Sequence, residues 1–157
     1  ESSGSEIAYY IRKNHAGPRW VLLTGGEPAD QDLGGLCHAL HDVGYKIALE
    51  TSGTAAGHMK APVDWVCVSP KIDMPGGRAI MPEVVAAADE IKMVVGKAAD
   101  LEKLEELLSS CNVNEERTAV CLQPLSQSKK ATALCIETVQ RRGWRLSIQT
   151  HKYAGLR

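Results

Sequence analysis

The sequence predicts one α/β domain built on a parallel sheet, with helices covering one or both faces. Short runs of aliphatic and β-branched residues alternate with longer segments of helical spacing, a pattern typical of parallel strands joined by helices. No internal repeat or long linker divides the 157 residues, of which 44% are hydrophobic. This length and composition are enough for one core, so we expect residues 1–157 to form a single domain.

Six segments have the composition of strands, and three others have the spacing of helices. The predicted strands are 20–23, 46–50, 65–68, 90–95, 118–122 and 144–148, and the predicted helices are 30–43, 100–110 and 128–142. An apparent helix at 5–14 precedes them. Asp100 is expected to cap one helix, while Gly44 and Gly143 are expected to end two others. A loop is predicted at 73–78.

Charge and cysteine content narrow the class of protein. Lys and Arg total 18 against 19 Asp and Glu, a formal charge of −1, so nothing favours nucleic acid as a partner. No apolar run approaches the length of a membrane span. The cysteines are odd in number and widely spaced, which indicates buried, reduced thiols in a cytoplasmic protein. They are Cys37, Cys67, Cys111, Cys121 and Cys135.

Candidate site residues follow the predicted strands, because parallel α/β proteins bind ligands at the carboxyl ends of their strands. The first strand is followed by Thr24, Gly25, Gly26 and Glu27. Glycines let a backbone approach a ligand closely, and a carboxylate can accept from an ammonium group. For the glycine pair alone, a tight strand-to-helix turn is the commoner explanation.

The second and third strands end in polar residues that also have ordinary explanations. Glu50 ends an apolar run, where a carboxylate needs a partner, and Ser52 follows it. A helix cap is the alternative for this pair. Ser69 and Lys71 follow the third strand, and Lys71 either pairs with a ligand carboxylate or lies along the surface.

The last two strands contribute a further polar set. Gln123 ends the fifth strand, and the sixth is expected to continue through 145–152. Alternation would then place Ser147, Gln149 and His151 on one side of the strand. Either a polar ligand or an exposed edge face accounts for such a row.

These strings together resemble the 7-carboxy-7-deazaguanine synthases, which are radical S-adenosyl-L-methionine (SAM) enzymes of queuosine and deazapurine biosynthesis. The matching strings are TGGEP at 24–28, ETSGT at 50–54, SPK at 69–71 and RLSIQTHK at 145–152. GGEP alone indicates only the radical SAM superfamily, whereas SPK and the last string are typical of this synthase. The resemblance implies a partial (β/α) barrel of radical SAM type, with a parallel sheet and helices outside.

The family's cysteine motif, whose three thiolates hold a [4Fe–4S] cluster, has no counterpart in the sequence. Each thiolate must reach a different iron of one cube, and the first cysteine, Cys37, already lies beyond GGEP. The chain also starts without Met, inside an apparent helix. We therefore expect an N-terminally incomplete core domain that is inactive alone, with truncation favoured over natural loss.

The resemblance implies a role for each candidate residue. Gly25, Gly26, Glu27, Glu50, Ser52, Ser69 and Lys71 are implied to bind SAM, with Gln123 a weaker candidate, and Thr24, Gln149 and His151 to bind the substrate. That substrate is 6-carboxy-5,6,7,8-tetrahydropterin, from which a 5′-deoxyadenosyl radical removes hydrogen before ring contraction with loss of ammonia. The resemblance further implies Mg²⁺, an electron donor such as flavodoxin, and a homodimer, but no residue of this chain is named as a metal ligand.

Three other interpretations remain open at this point. An activase of glycyl-radical enzymes shares GGEP and SAM, and a cluster-free relic would bind a nucleoside or a partner protein through the same strand ends. A purely structural interpretation makes the polar residues helix caps, but capping explains Ser and Thr better than Gln149, His151 and Lys71.

Overall fold

The computed structural model describes residues 2–15, 17–72 and 77–155. They form one six-stranded sheet in which spatial order follows chain order and every neighbouring pair is parallel. The strands are β1 Trp20–Leu23, β2 Lys46–Thr51, β3 Trp65–Val68, β4 Glu90–Val95, β5 Ala119–Pro124 and β6 Arg145–Leu146. The parallel α/β class predicted from the alternation is confirmed.

Six α-helices occur in the described ranges, and the predicted helices are among them. They are α1 Gly4–Asn14, α2 Gly34–Asp42, α3 Pro82–Ala86, α4 Ala98–Ser110, α5 Lys129–Arg142 and α6 Thr150–Tyr153. The short helices α3 and α6 were not predicted, and residues 73–76 of the predicted loop lie outside the described residues. None of the helices within those residues combines the length and apolarity needed to cross a membrane.

Two helices end at the predicted glycines, but the N-cap of another helix lies three residues before its predicted cap. Gly44 follows α2 at φ +87° and Gly143 ends α5 at φ +71°, as glycine allows. The prediction of Asp100 as the capping residue is wrong by three positions, because α4 begins at Ala98 with Lys97 as its N-cap. The Asp100 carboxylate still receives the backbone N–H groups of Gly96 at 2.8 Å and Lys97 at 3.0 Å. It therefore caps from the third helical position.

The two faces of the sheet differ in what covers them. Side chains such as Ile47, Leu49 and Ile91 face the helices and are fully buried. Alternate residues point the other way, and Leu22 and Val94 are 53% and 38% exposed there. We call this second side the open face; it carries Leu22, Ala48, Glu50, Cys67, Glu90, Lys92, Val94, Cys121 and Gln123. Within the described ranges, helices pack on one side of the sheet, which leaves the open face for other contacts.

The sixth strand is much shorter than predicted. Its last ladder bond joins the Ser147 N–H to the Leu122 carbonyl at 2.8 Å. By the parallel register, the next bond would be donated by the N–H of residue 124, which is a proline and has none. The predicted polar row of Ser147, Gln149 and His151 along one strand is therefore wrong, because the chain leaves the sheet and turns into α6.

Candidate active site

The turn after β1 has a backbone that favours glycine. Gly25 and Gly26 have φ values of +89° and +54°, which side chains rarely adopt. A Cβ at either position would meet no atom within 4 Å, so the requirement comes from the backbone conformation and not from crowding. Thr24 and both glycines are exposed, and this stretch of main chain is open to a ligand.

The carboxylate of Glu27 joins the end of β1 to the end of β2. It accepts hydrogen bonds from Thr51 Oγ1 at 2.6 Å, Ser52 N at 2.8 Å, Ser52 Oγ, and Ala29 N at 3.1 Å. Burial disfavours its charge, but the bonds from Ser52, Thr51 and Ala29 outweigh this, so the pKa of Glu27 is lowered. A carboxylate has about four acceptor positions, and these donors occupy them. Glu27 thus fixes the adjacent glycine turn.

A ring of hydrogen bonds extends from Glu27 to the segment after β3. Ser52 Oγ and Thr54 Oγ1 are 2.8 Å apart, and Arg78 donates to Thr54 Oγ1 at 3.1 Å. The same guanidinium holds the Asp30 carboxylate through contacts of 2.9 to 3.0 Å, and Asp30 N donates to the Glu27 carbonyl at 3.2 Å. We call these five residues the Glu27 ring. Arg78 and Asp30 were missed, since nothing local in the sequence marks them.

Behind this ring lies a buried histidine that was also missed. The His58 side chain belongs to a residue only 4% exposed, and its Nδ1 has no hydrogen-bond partner among the described residues. Burial lowers the pKa of His58, while the charge of Glu27 opposes the shift. Neighbouring Gly57 packs so closely on Ala29 that a Cβ there would lie 2.3 Å from the Ala29 carbonyl oxygen. This contact anchors the turn of His58 against the turn after Glu27.

An ion pair on the open face joins β2 to β4, with β3 between them. Lys92 Nζ on β4 lies 2.8 Å from Glu50 Oε1 on β2, with side chains 18% and 29% exposed. Burial disfavours the ammonium, but Glu50, Cys67 and Glu90 more than compensate, and the pKa of Lys92 is raised. Lys92 was missed, although a lysine within the apolar strand 90–95 was a readable signal.

The residues after β3 line a separate cavity of about 360 Å³. Its walls include Ser69, Lys71, Val94, Gly96, Asp100 and Leu125. The Ser69 N–H donates to the Thr51 carbonyl at 2.7 Å, which ties this cavity to the end of β2. A rim shared by all the strand ends would predict one common cavity, but Glu27, Glu50 and His151 are not among the walls of this one.

Three of the remaining predicted residues lie at the two edges of the sheet, and the fourth, Gln123, lies on β5. Thr24 is exposed after β1, and at the other edge Gln149 precedes α6 and His151 lies exposed within it. Gln123 is half-buried on the open face of β5. Within the described ranges, the structure contains no hydrogen bond made by the side chains of Gln149 or His151.

The cysteines do not form a cluster site. All five are free and buried, as predicted, and no group of three His, Cys, Asp or Glu side chains within the described ranges is placed to hold a metal ion. Burial, together with Glu90, raises the pKa of Cys121 to about 11 and also raises that of Cys67. A [4Fe–4S] cluster needs three grouped thiolates, and the described cysteines form no such group, so they do not fit a cluster. The described carboxylates likewise form no group of three that could hold Mg²⁺.

Comparison with known proteins gives a consistent set of relatives, although no family model matches. The chain is 41% identical over 155 residues to 7-carboxy-7-deazaguanine synthase of Escherichia coli K12, covering 99% of this chain and 69% of the relative. The synthase of Buchnera aphidicola is 33% identical, covering 97% of this chain and 67% of the relative.

A solved structure agrees with these sequences. The crystal structure of QueE from Escherichia coli superimposes with a TM-score of 0.84 at 38% identity, covering 94% of this chain and 64% of that one. The chain thus spans about two thirds of the length of the proteins it matches. On this similarity, the chain belongs to the 7-carboxy-7-deazaguanine synthase family of radical SAM lyases and has the fold of that family.

Proposed function

We propose that this chain supplies the SAM-binding and pterin-binding strand ends of a 7-carboxy-7-deazaguanine synthase. The complete gene product would convert 6-carboxy-5,6,7,8-tetrahydropterin to 7-carboxy-7-deazaguanine in queuosine biosynthesis. The observation that carries the proposal is the 41% identity over an aligned region of 155 residues, 99% of the chain, and the four strings at the strand ends lie within that length. Because only 69% of that relative is spanned, the activity is proposed for the whole protein.

The SAM-binding residues would act mainly through a fixed main chain. The exposed carbonyls of Gly25 and Gly26 are suited to receive the ammonium of the methionine moiety, with Glu27 holding the turn through its four donors. Glu50 and Ser52 would contact the ribose and methionyl portions. When bound, SAM is the source of the radical chemistry of this family.

The residues after β3 and β5 would complete this pocket. Ser69 and Lys71 line a cavity beside the end of β2, and an exposed ammonium such as that of Lys71 is suited to a ligand carboxylate. Gln123, half-buried on the open face, is a secondary candidate.

The pterin would be held by residues at the sheet edges. Thr24, Gln149 and His151 offer hydroxyl, amide and imidazole groups, which match the donors and acceptors of a pterin ring. His151 is exposed and Gln149 is half-buried, and substrate contacts would order their side chains. Gln149 and His151 would therefore contribute to substrate binding and not to the stability of the fold.

The other expected components are part of the proposal for the complete protein. The described residues do not fit a [4Fe–4S] cluster or Mg²⁺, so no reaction step is assigned to either. A reductant such as flavodoxin, a homodimeric assembly and a cytoplasmic location follow from the resemblance to the family.

An anaerobic product assay tests the function. The complete gene product, reconstituted with iron and sulfide, is incubated with SAM, reductant and 6-carboxy-5,6,7,8-tetrahydropterin, and products are identified by mass spectrometry. We expect 7-carboxy-7-deazaguanine and 5′-deoxyadenosine. Cleavage of SAM without any deazapurine would contradict the synthase assignment. The alternative, a glycyl-radical enzyme activase, is not favoured by the relatives found.

A further inference from the structure

The ion pair of Lys92 and Glu50 on the open face is unusual, because it lies within the strands of the sheet and removes two charges from water. Lys92 lies in the middle of β4, and its side chain is only 18% exposed. Lysine is seldom buried unless it is paired, and burying two charges recovers little stability compared with an apolar pair. A purely structural role therefore explains the pair poorly.

The partner of Lys92 occupies a position next to the proposed ligand. Glu50 directly precedes Thr51 and Ser52, which bind Glu27 from the same strand. Since side chains alternate, Thr51 is buried on the helix side while Glu50 projects onto the open face. Glu50 Oε1 lies 2.8 Å from the ammonium, and the side chain keeps 29% of its surface exposed. Because a carboxylate has about four acceptor positions, Glu50 can also accept from a ligand.

Of the two carboxylates near Lys92, Glu50 is the one that its ammonium contacts. Glu90 precedes it on the same face of β4, and the indole N–H of Trp65 lies 3.4 Å from Glu90 Oε2. Glu90 is thus engaged by a neighbour, whereas the short contact of 2.8 Å joins Lys92 to Glu50.

We propose that Lys92 is a positioning residue that fixes the Glu50 carboxylate so that this carboxylate accepts hydrogen bonds from the hydroxyls of a bound nucleoside. This inference rests on the proposed function, because it assumes that SAM binds at the strand ends. Lys92 acts through Glu50 and does not touch the ligand.

Binding of S-adenosylhomocysteine to the reconstituted complete gene product, measured by calorimetry, tests the inference. Lys92→Met should weaken binding about tenfold, the factor expected when one flexible side chain must be ordered on binding. Lys92→Arg keeps a cation near Glu50 and should restore most of the affinity. Arg142→Met is the matched control, since it removes a cation 2.8 Å from Glu105 away from the proposed site, and it should leave affinity unchanged.

A double variant keeps the test decisive if Lys92→Met folds poorly. Glu50→Gln combined with Lys92→Met removes both charges of the pair and should bind as weakly as Glu50→Gln alone, because Lys92 acts only through Glu50. Additive losses, or normal binding by Lys92→Met, would overturn the positioning role. Absence of binding by the unchanged protein would instead reject the proposed function itself.

Discussion

The carboxyl ends of β1 and β2 contrast with the carboxyl end of β6. At the former, Glu27 receives four hydrogen bonds and the Glu27 ring ties three segments together. At the latter, Gln149 and His151 follow a strand of two residues, and His151 is exposed. Among the described residues, side-chain hydrogen bonds hold one end of the candidate site before any ligand arrives, and none are made by the Gln149 and His151 side chains at the other.

The difference separates two ways of building a binding site. Preformed hydrogen bonds hold a backbone in place and lower the cost of ordering it when a ligand binds. Side chains without partners contribute little to stability and gain their order from the ligand. Substitutions at the two ends should therefore affect stability and activity in opposite proportions.

The largest loss of stability is expected from Glu27→Ala. The change leaves the N–H groups of Ala29 and Ser52 and two hydroxyls without their acceptor, so we expect about 2 kcal/mol of destabilisation. Urea unfolding followed by circular dichroism measures it. Glu105→Gln, which removes one exposed ion pair, is the control and should cost much less. Equal losses for the two variants would contradict the importance of the Glu27 carboxylate.

A smaller loss is expected from Gly26→Ala. Its φ of +54° is unfavourable for alanine by about 1 kcal/mol, although a Cβ there meets no atom. Gly35→Ala is the matched control, because Gly35 lies in α2 with equally open surroundings, and alanine should be neutral or stabilising there. The same unfolding assay compares them. A stable Gly26→Ala protein would show that the turn is not held in the observed conformation.

The pH dependence of stability should separate His58 from Glu27. Burial lowers the pKa of His58 from 6.5, so below this pH the unfolded chain binds more protons and stability falls. The lowered pKa of Glu27 affects stability at a lower pH, because the stability that its carboxylate contributes is lost only as the pH falls below 4.5. Denaturation midpoints measured from pH 7 to 4 should show a modest first decline that His58→Met abolishes. A decline that persists in this variant would assign it to another group.

The smallest effect on stability is expected from His151→Ala. An exposed side chain with no described hydrogen bond should change the unfolding free energy by less than about 0.5 kcal/mol. In the complete gene product, however, turnover should fall more than SAM affinity does. Kinetics with the pterin, beside calorimetry with S-adenosylhomocysteine, measure the two quantities. Unchanged turnover would refute a substrate-binding role for His151.

Local sequence was sufficient for much of the fold. The strands β1, β3 and β4 were predicted with their observed bounds, because apolar runs and flanking turn residues mark both ends. The end of β6 was not, since it depends on Pro124 in the neighbouring strand. A strand boundary set by a partner 20 or so residues away has no local signal.

Some contacts of the candidate site could also be predicted from the sequence, and others could not. That Glu27 and Ser52 come together follows from the rule that parallel strands end at one edge, and the structure joins them by hydrogen bonds. Arg78 enters through contacts with Asp30 and Thr54, which sequence spacing does not reveal. The contact between Lys92 and Glu50 also has no local signal, because the register of β2, β3 and β4 sets the distance between the two side chains.

Pro124 has a consequence for how molecules of this protein meet in solution. An outermost strand with free amides is a template on which another chain can add, and long flat ones lead to aggregation. By stopping β6 after two residues, the proline leaves almost no template on that flank. Crowded copies should therefore not polymerise by strand addition beside β6.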